Sequence, residues 1–243
     1  MHHGYLREGE TSSREVSWSI LKKYLNELIT FGDREGVTHF IISNNGDTIE
    51  GKLRPSSLLD TRLLAIEQMA EATELIIKFL AELSQYFKVS YIHAAVGNHD
   101  RIEMNKKIAM DKEDYAIMHK EIMKYACKEI DVEYIDSPDH YFSILEIQGV
   151  NIYLSHGDID NYKSDKLLAE LSVLHDVSLD IVMGGHYHTF SVREVGDNKY
   201  MTITGSLKGS DDFSQRINKA SSRSQVTVLI KGYRNFDIRQ IKL

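Results

Sequence analysis

The sequence is poor in the residues that cross-link or interrupt a chain. Its 243 residues include a single cysteine, Cys127, and only two prolines. One cysteine excludes an intramolecular disulfide framework and any zinc module built on several thiolates. So few prolines, with no low-complexity tract, argue against linkers and disordered tails. We therefore expect one folded domain over residues 1–243.

The sequence also lacks long apolar runs and an excess of positive charge. Its apolar runs are a few residues long, far short of the ~20 that cross a bilayer, and no signal peptide is recognisable. These absences predict no membrane association and a cytoplasmic location. The formal net charge of −7 excludes a protein that coats nucleic acid through bulk positive charge. A nuclease remains open, because bound metals would supply positive charge locally.

Helical and strand patterns alternate along most of the chain and give way to strands at its end. Apolar periodicity predicts helices over residues 12–32, 63–80, 114–129 and 164–174, the first opened by a Ser12-x-x-Glu15 capping box. Buried strands are predicted over residues 38–43, 89–96, 151–155 and 180–183, and further strands over 191–195, 200–204, 226–230 and 235–243. This order predicts an α/β fold. A four-layer α/β/β/α sandwich fits, and periodicity alone leaves a three-layer arrangement open.

Four polar clusters stand immediately after four of the predicted strands. Because ligands gather at the carboxyl ends of strands in α/β sheets, we expect these clusters to converge. They offer carboxylate, amide and imidazole groups but no thiolate, a donor set that suits Mn²⁺, Fe²⁺ or Zn²⁺. The clusters are residues 45–51 (NGDTIEG), 97–100 (GNHD), 155–158 (SHGD) and 184–188 (GGHYH).

In this order the clusters resemble the calcineurin-like metallophosphoesterase family. The family pattern is Asp-x-His, Gly-Asp-x-x-Asp, Gly-Asn-His-Asp/Glu, a lone His and then Gly-His-x-His. The last four motifs match closely between Gly46 and His188. The resemblance implies a four-layer sandwich with a two-metal site. A weaker similarity is to phage and prophage members described as DNA-repair exonuclease-like.

The resemblance also implies a set of metal ligands. Two divalent ions are expected, most simply Mn²⁺, with Fe, Zn or Ni as alternatives. Asp47 would bridge them, and the remaining ligands would be Asn98, His156 and His186 for one ion and His2 and His188 for the other.

Two further residues acquire catalytic roles from the same resemblance. His99 would stay off the metals and either protonate the leaving oxygen or stabilise the charged transition state. Glu50 stands where the family has an aspartate that orients this histidine, and its longer side chain leaves the orienting role open. Arg101 and Lys208, together with the basic segment 205–225, are candidates for substrate binding.

The first family motif is incomplete. Met1-His2-His3-Gly4 aligns with Asp-x-His-x-Gly so that the aspartate would fall one position before Met1. Three explanations stay open. The sequence starts at an internal methionine, or a true truncation has removed a ligand, or the Met-His-His is unrelated to the motif. Under either of the first two explanations, the first strand of the family fold is missing as well, and the loss of an anionic ligand weakens one metal site.

These observations favour metal-dependent phosphodiester hydrolysis, with DNA as a candidate substrate and partner. The alternatives are a phosphomonoesterase or cyclic-nucleotide phosphodiesterase, and a degenerate member that binds metal or nucleic acid without turnover. A homodimer stays open, although no heptad seam indicates one. The other histidines are expected to pack inside strands (His39, His93) or to be solvated (His3, His119, His140, His175).

Overall fold

The structure, a computed structural model, describes residues 1–4, 13–52, 63–103, 105, 113–209 and 221–243. Within these ranges helices and strands alternate as the apolar periodicity predicts, and the last four elements are strands. The elements are α1 (Ser13–Glu35), β1 (His39–Asn44), α2 (Ala65–Leu83), β2 (Lys88–His93), α3 (Ala116–Glu129), β3 (Glu133–Ile135), β4 (Phe142–Ile147), β5 (Val150–Ser155), α4 (Leu167–Leu174), β6 (Ile181–Gly184), β7 (Ser191–Gly196), β8 (Lys199–Ile203), β9 (Ser224–Gly232) and β10 (Asn235–Lys242).

The strands form two sheets and a separate hairpin. The first sheet is parallel, in the order β1-β2-β3. The second has the order β4-β5-β6-β8-β7, parallel through β5, β6 and β8 and antiparallel at both edges. Strands β9 and β10 pair antiparallel with each other. All four motif-bearing strands, β1, β2, β5 and β6, belong to the parallel portions.

Three apolar cores separate four layers. The first core joins α1, α2 and α3 to the first sheet, through side chains such as Leu28, Leu80 and Met123. The second lies between the sheets and includes Ile92 and Ile152, with β9 and β10 contributing Val228 and Ile238. The third packs α4 against the outer face of the second sheet. This arrangement is the four-layer α/β/β/α sandwich, and it confirms that expectation over the three-layer alternative.

Several element ends differ from the sequence prediction by up to three residues, and two strands were not predicted. Strand β3 is only three residues long, too short for a periodic pattern, whereas the apolar run of β4 (FSILEI) was a readable signal that was missed. Helix α1 continues past Gly32 and ends at Glu35. The next residue, Gly36, has a φ of +67°, a conformation that suits glycine. Gly32 is an interior glycine because a Cβ there would overlap the Phe87 ring. Ser12 of the predicted capping box lies outside the described residues.

Two histidines expected in solvent are fully buried, so that expectation was wrong. His3 bonds Ser17 and Glu71 through its two ring nitrogens. His119 bonds the Thr73 hydroxyl and the Tyr91 hydroxyl at 2.8 and 2.7 Å. Their partners lie on other elements, so single-sequence periodicity could not reveal them. Cys127 is buried in the first core.

The amino-terminal residues run beside the loop that follows β1. The His2 amide donates to the Asp47 carbonyl at 2.9 Å, and His3 forms a parallel bridge with Ile49. Among the described residues, β1 pairs only with β2, and β9 only with β10. Each of these strands therefore presents one unpaired edge. Separately, none of the helices in the described ranges has the length and apolarity required to traverse a bilayer.

The buried His119 should make stability depend on pH. Burial, reinforced by the charge of Lys120, lowers its pKa to about 3, against about 6.5 in an unfolded chain. Between these values the unfolded state binds the proton, so stability is complete above pH 6.5 and falls as the pH drops. From pH 6.5 to 4.5 we expect a loss of about 2–3 kcal/mol from this residue. Thermal melts of the wild type and His119→Gln across that range should show a shallower slope in the variant, and parallel slopes would contradict the assignment.

Candidate metal centre

Five short segments place their polar side chains together at one edge of the sandwich. The loops after β1, β2, β5 and β6 all leave the carboxyl ends of parallel strands, which brings them to the same edge. The amino-terminal residues join them through the backbone contacts with Asp47 described above. The converging side chains are those of His2, Asp47, Glu50, Asn98, His99, His156, His186 and His188.

Two glycines set the position of Asp47. A Cβ at Gly97 would overlap the backbone nitrogen of Asp47, and one at Gly46 would overlap the backbone of Gly97. Only glycine at both positions allows the loops after β1 and β2 to pack this closely. Asp47 itself adopts a φ of +50°, a conformation that costs free energy for a non-glycine residue. This strained backbone directs the carboxylate at the convergence point, where its Oδ1 accepts the His99 amide at 2.9 Å.

A first group of potential ligands surrounds His156. Its Nε2 lies 3.2 Å from Asp47 Oδ2, 3.1 Å from Asn98 Oδ1 and 3.3 Å from His186 Nδ1. Its Nδ1 lies 2.9 Å from the carbonyl of Asn45. Because a carbonyl can only accept, Nδ1 carries a proton, and Nε2 is the nitrogen presented to the group. Metal-binding histidines are held in this way, with the outer nitrogen donating to a carbonyl.

The charge on His156 depends on its burial and on the neighbouring Asp47 carboxylate. Burial lowers the pKa of His156, and the adjoining Asp47 carboxylate more than compensates, raising it to about 9. A divalent ion here would displace the proton on Nε2, so binding would release that proton.

A second group lies on the other side of Asp47. His2 Nε2 is 2.9 Å from His188 Nε2 and 3.5 Å from Asp47 Oδ2. Burial lowers the pKa of His2, with His188 contributing, and lowers that of His188 to about 4. Both rings are therefore neutral at pH 7, with lone pairs available to a metal. Both residues also have positive φ, +56° and +57°.

The two groups share Asp47 and satisfy the chemistry expected of a paired cation site. In each, a carboxylate oxygen and two imidazole nitrogens lie within 4.8 Å of one another. The donor set is nitrogen and oxygen without sulfur, in agreement with the ions suggested by the sequence. The residues present therefore fit two divalent ions, with the second group carrying one carboxylate and two imidazoles.

His99 and Glu50 lie next to the second group, and the structure shows how they contact each other. His99 Nδ1 bonds the backbone carbonyl of Glu50 at 2.7 Å, so the carbonyl and not the carboxylate orients the ring. The Glu50 carboxylate instead contacts His2 Nδ1 at 3.1 Å and Lys208 Nζ at 3.0 Å. The His99 and His2 rings meet edge to face with centroids 4.7 Å apart. The His99 ring therefore lies beside the ligand His2, and its Nε2 takes no part in the hydrogen bond with the Glu50 carbonyl.

Both candidate substrate cations occupy ion pairs at this edge. Lys208 is 7% exposed and follows β8, and its partner is Glu50. Arg101, on the loop after β2, bonds Asp158 at 2.8 Å and thereby ties the GNHD loop to the SHGD loop. Its Nη1 is buried without a hydrogen-bond partner in the described part of the chain. Residues 210–220 of the basic segment lie outside the described residues.

Asp100 supports the site without belonging to the ligand groups. It is fully buried, and its carboxylate accepts the amides of Thr48 and Gly97 at 3.0 Å each. Burial, with the nearby charge of Asp47, raises its pKa to about 6. It bridges the two loops that the glycines bring together.

Two backbone contributions were missed by sequence reasoning. The Asn45 carbonyl orients His156, and the amino group of Met1 donates to the Asp47 carbonyl at 2.7 Å. Backbone groups carry no residue-type signal, and so neither contact could be predicted from the sequence.

Comparisons with known proteins agree with this geometry. The profile of the calcineurin-like phosphoesterase family matches residues 2–199. A prophage-derived uncharacterised protein of Bacillus subtilis, YonJ, is 25% identical over 208 residues. The alignment covers 81% of this chain and 50% of YonJ, so the chain spans about half the length of that relative.

Solved structures give more distant similarities. Vps29 of Entamoeba histolytica in complex with zinc is 14% identical, with 70% of this chain and 88% of that chain covered and a TM-score of 0.38. A predicted phosphoesterase of Streptococcus pneumoniae is 11% identical, with coverages of 84% and 88% and the same TM-score of 0.38. The family profile spans most of the chain and all the motifs that converge at this edge. The chain belongs to the calcineurin-like phosphoesterase family.

Proposed function

We propose that this protein hydrolyses phosphodiesters with two divalent metal ions held on either side of Asp47. The observation that carries the proposal is the shared carboxylate. Asp47 Oδ2 faces His156 in one imidazole group and His2 in the other, at 3.2 and 3.5 Å. A structural role would not require the strained backbone from which Asp47 and the histidines His2, His186 and His188 present their side chains.

The ligands would be Asp47, Asn98, His156 and His186 for one ion and His2, Asp47 and His188 for the other. When bound, a pair of divalent ions polarises the phosphoryl oxygens and lowers the pKa of a water molecule so that hydroxide is available at neutral pH. Mn²⁺ is our first choice, with Fe²⁺, Zn²⁺ and Ni²⁺ as alternatives. The second group offers three ligands where the first offers four, so it is expected to bind its ion more weakly.

In this proposal His99 donates a proton to the leaving group. Its Nδ1 must carry hydrogen, because it bonds a carbonyl oxygen. Its Nε2 is then the nitrogen that can hold and release a second proton. A general acid so positioned contributes ~10²–10⁴-fold to rate. Glu50 supports His99 through its carbonyl, and its carboxylate holds His2 and Lys208 in place.

Two cations favour an anionic substrate with more than one phosphate. Lys208 and Arg101 flank the ligand groups on loops after different strands, so together they could contact neighbouring phosphates of a strand. We therefore propose DNA as the substrate class to test first, ahead of phosphomonoesters and cyclic nucleotides. The second candidate function is binding without turnover, which the smaller ligand set of the second group favours.

The first prediction concerns catalysis. The chain of residues 1–243 with Mn²⁺ should hydrolyse bis-p-nitrophenyl phosphate, and EDTA should abolish the activity. His99→Asn should lower kcat by roughly 10²–10⁴-fold while Mn²⁺ binding is retained, because His99 is not a ligand. His175→Asn, remote from the site, serves as the matched control. Parallel assays with p-nitrophenyl phosphate, a cyclic nucleotide and single-stranded DNA would rank the substrate classes.

Folded protein that binds Mn²⁺ without hydrolysing any of these substrates would reject the catalytic proposal. If such protein still bound DNA with a strong dependence on salt, the non-catalytic alternative would be supported instead.

The second prediction concerns metal stoichiometry. Asp47→Asn should weaken both ions, because its carboxylate serves both groups. His186→Asn and His188→Asn should each weaken one ion, by at least the ~10–100-fold that follows loss of a mere supporting contact. Calorimetric titration with Mn²⁺ would count the sites. A single ion lost in Asp47→Asn, with the other unaffected, would show that the carboxylate is not shared.

The third prediction concerns Lys208. Lys208→Met removes the ammonium but keeps the apolar stem, and we expect KM for bis-p-nitrophenyl phosphate to rise about tenfold, with a smaller change in kcat. That factor matches the low end for a hydrogen bond to a charged group. The double variant with Glu50→Gln separates loss of the substrate contact from exposure of an uncompensated carboxylate. An unchanged KM in both variants would assign Lys208 to folding alone.

A further inference from the structure

A line of buried polar side chains runs from the helix layer to the loop that carries Asp47. Thr73 on α2, His119 on α3 and Tyr91 on β2 are each at most 2% exposed. Their hydrogen bonds continue to Asn44, the last residue of β1. We call these four residues the polar network. No catalytic step proposed above uses any of them.

The direction of each hydrogen bond in the polar network follows from the backbone carbonyl at its far end. The Thr73 hydroxyl donates its only hydrogen to the Met69 carbonyl at 2.7 Å. It must therefore accept from His119 Nδ1, which lies 2.8 Å away and carries the ring hydrogen. His119 is neutral at pH 7, because burial lowers its pKa to about 3. Its Nε2 is then a bare acceptor, to which the Tyr91 hydroxyl donates at 2.7 Å.

The Tyr91 hydroxyl therefore presents only lone pairs to Asn44. The Asn44 amide nitrogen donates to this hydroxyl at 3.4 Å and to the Thr48 hydroxyl at 2.9 Å. The Asn44 Oδ1 accepts the Gly46 amide at 3.1 Å. If the carboxamide were rotated by 180°, its NH₂ group would face the Gly46 N–H and its oxygen would face the Tyr91 lone pairs. Both contacts are repulsive, so the polar network selects one orientation of Asn44.

This orientation holds the loop on both sides of the shared ligand. Gly46 and Thr48 are the residues immediately before and after Asp47, whose φ is +50°. The Asn44 carboxamide bonds both of them and so spans the strained residue. A non-glycine residue keeps such a conformation only where its surroundings fix it. Asp100 restrains the same loop through the Thr48 amide, whereas the Gly46 amide is bonded by Asn44.

We propose that the polar network positions the Asp47 carboxylate, so that its four members are positioning residues for both metal ions. Because Asp47 faces both groups of histidines, a looser loop weakens both ions together, whereas the loss of one imidazole weakens one. A change at Thr73, in the helix layer, should therefore alter metal affinity through three hydrogen-bonded side chains. The effect on the ions rests on the proposed function, and the effect on the loop does not.

The test uses the chain of residues 1–243 with substitutions that leave every proposed ligand in place. Thr73→Val keeps the shape of the side chain but removes the hydroxyl that accepts from His119. Thr73→Ser keeps a hydroxyl and is its matched control. Tyr91→Phe removes the hydroxyl in the middle of the polar network. Tyr153→Phe makes the same change at a buried tyrosine of β5 in the third core.

Two quantities are measured on each variant. In metal-free protein, amide exchange at Gly46 should speed up about tenfold in Thr73→Val and Tyr91→Phe, because the Gly46 amide bonds Asn44. In calorimetric titration, the Kd of both Mn²⁺ ions should rise about tenfold, the low end for loss of a group that supports a metal ligand. Thr73→Ser and Tyr153→Phe should match the wild type in both measurements.

A further variant separates positioning from stability. Leu83→Ala, at the far end of α2 in the first core, lowers Tm without touching the polar network. The proposal is overturned if folded Thr73→Val and Tyr91→Phe show the same Kd and the same Gly46 exchange as Leu83→Ala. If Tyr91→Phe does not fold, the comparison of Thr73→Val with Thr73→Ser decides. A wild type that binds no Mn²⁺ would reject the proposed function, and Gly46 exchange in metal-free protein would still decide on the polar network.

Discussion

The packing of Gly46 against Gly97 is the constraint on which the site depends. It allows two loops from neighbouring parallel strands to approach at backbone distance, and places the Asp47 carboxylate between two sets of histidines. Asp100 strengthens the same junction by accepting amides from both loops. A side chain at either glycine would separate the loops, and the two ligand groups would no longer share an oxygen. The metal centre is thus a consequence of sheet geometry and of two missing Cβ atoms.

Electrostatics inside the site differ from those of the chain as a whole. The protein carries a formal charge of −7, yet five histidines converge around the Asp47 carboxylate, with Lys208 and Arg101 beside them in ion pairs. Burial keeps His2 and His188 neutral, so they are prepared to bind cations and are not already charged. Two bound dications would make this edge strongly positive. An acidic protein can therefore attract an anionic phosphodiester to a single place without binding polyanions over its whole surface.

The sequence alone predicted the layered fold and the residues that converge, because glycine-flanked polar motifs after apolar strands are strong local signals. It failed where the determinant was not a residue type. The role of Glu50 toward His99 stays open in the sequence, because the contact is made by the Glu50 backbone carbonyl. His3 and His119 were expected in solvent because their partners, on other elements, leave no trace in local periodicity. Strand β4 is different, because its apolar run FSILEI is itself a local signal for a strand.

The amino-terminal residues support the loop that carries Asp47. Asp47 lies three residues beyond the end of β1, and one edge of β1 has no hydrogen-bonded neighbour within the described chain. The His2 amide and the Met1 amino group both donate to the Asp47 carbonyl, and His3 forms a parallel bridge with Ile49. These backbone contacts restrain the loop beyond the end of β1, and so they help to keep the shared carboxylate between the two groups of histidines.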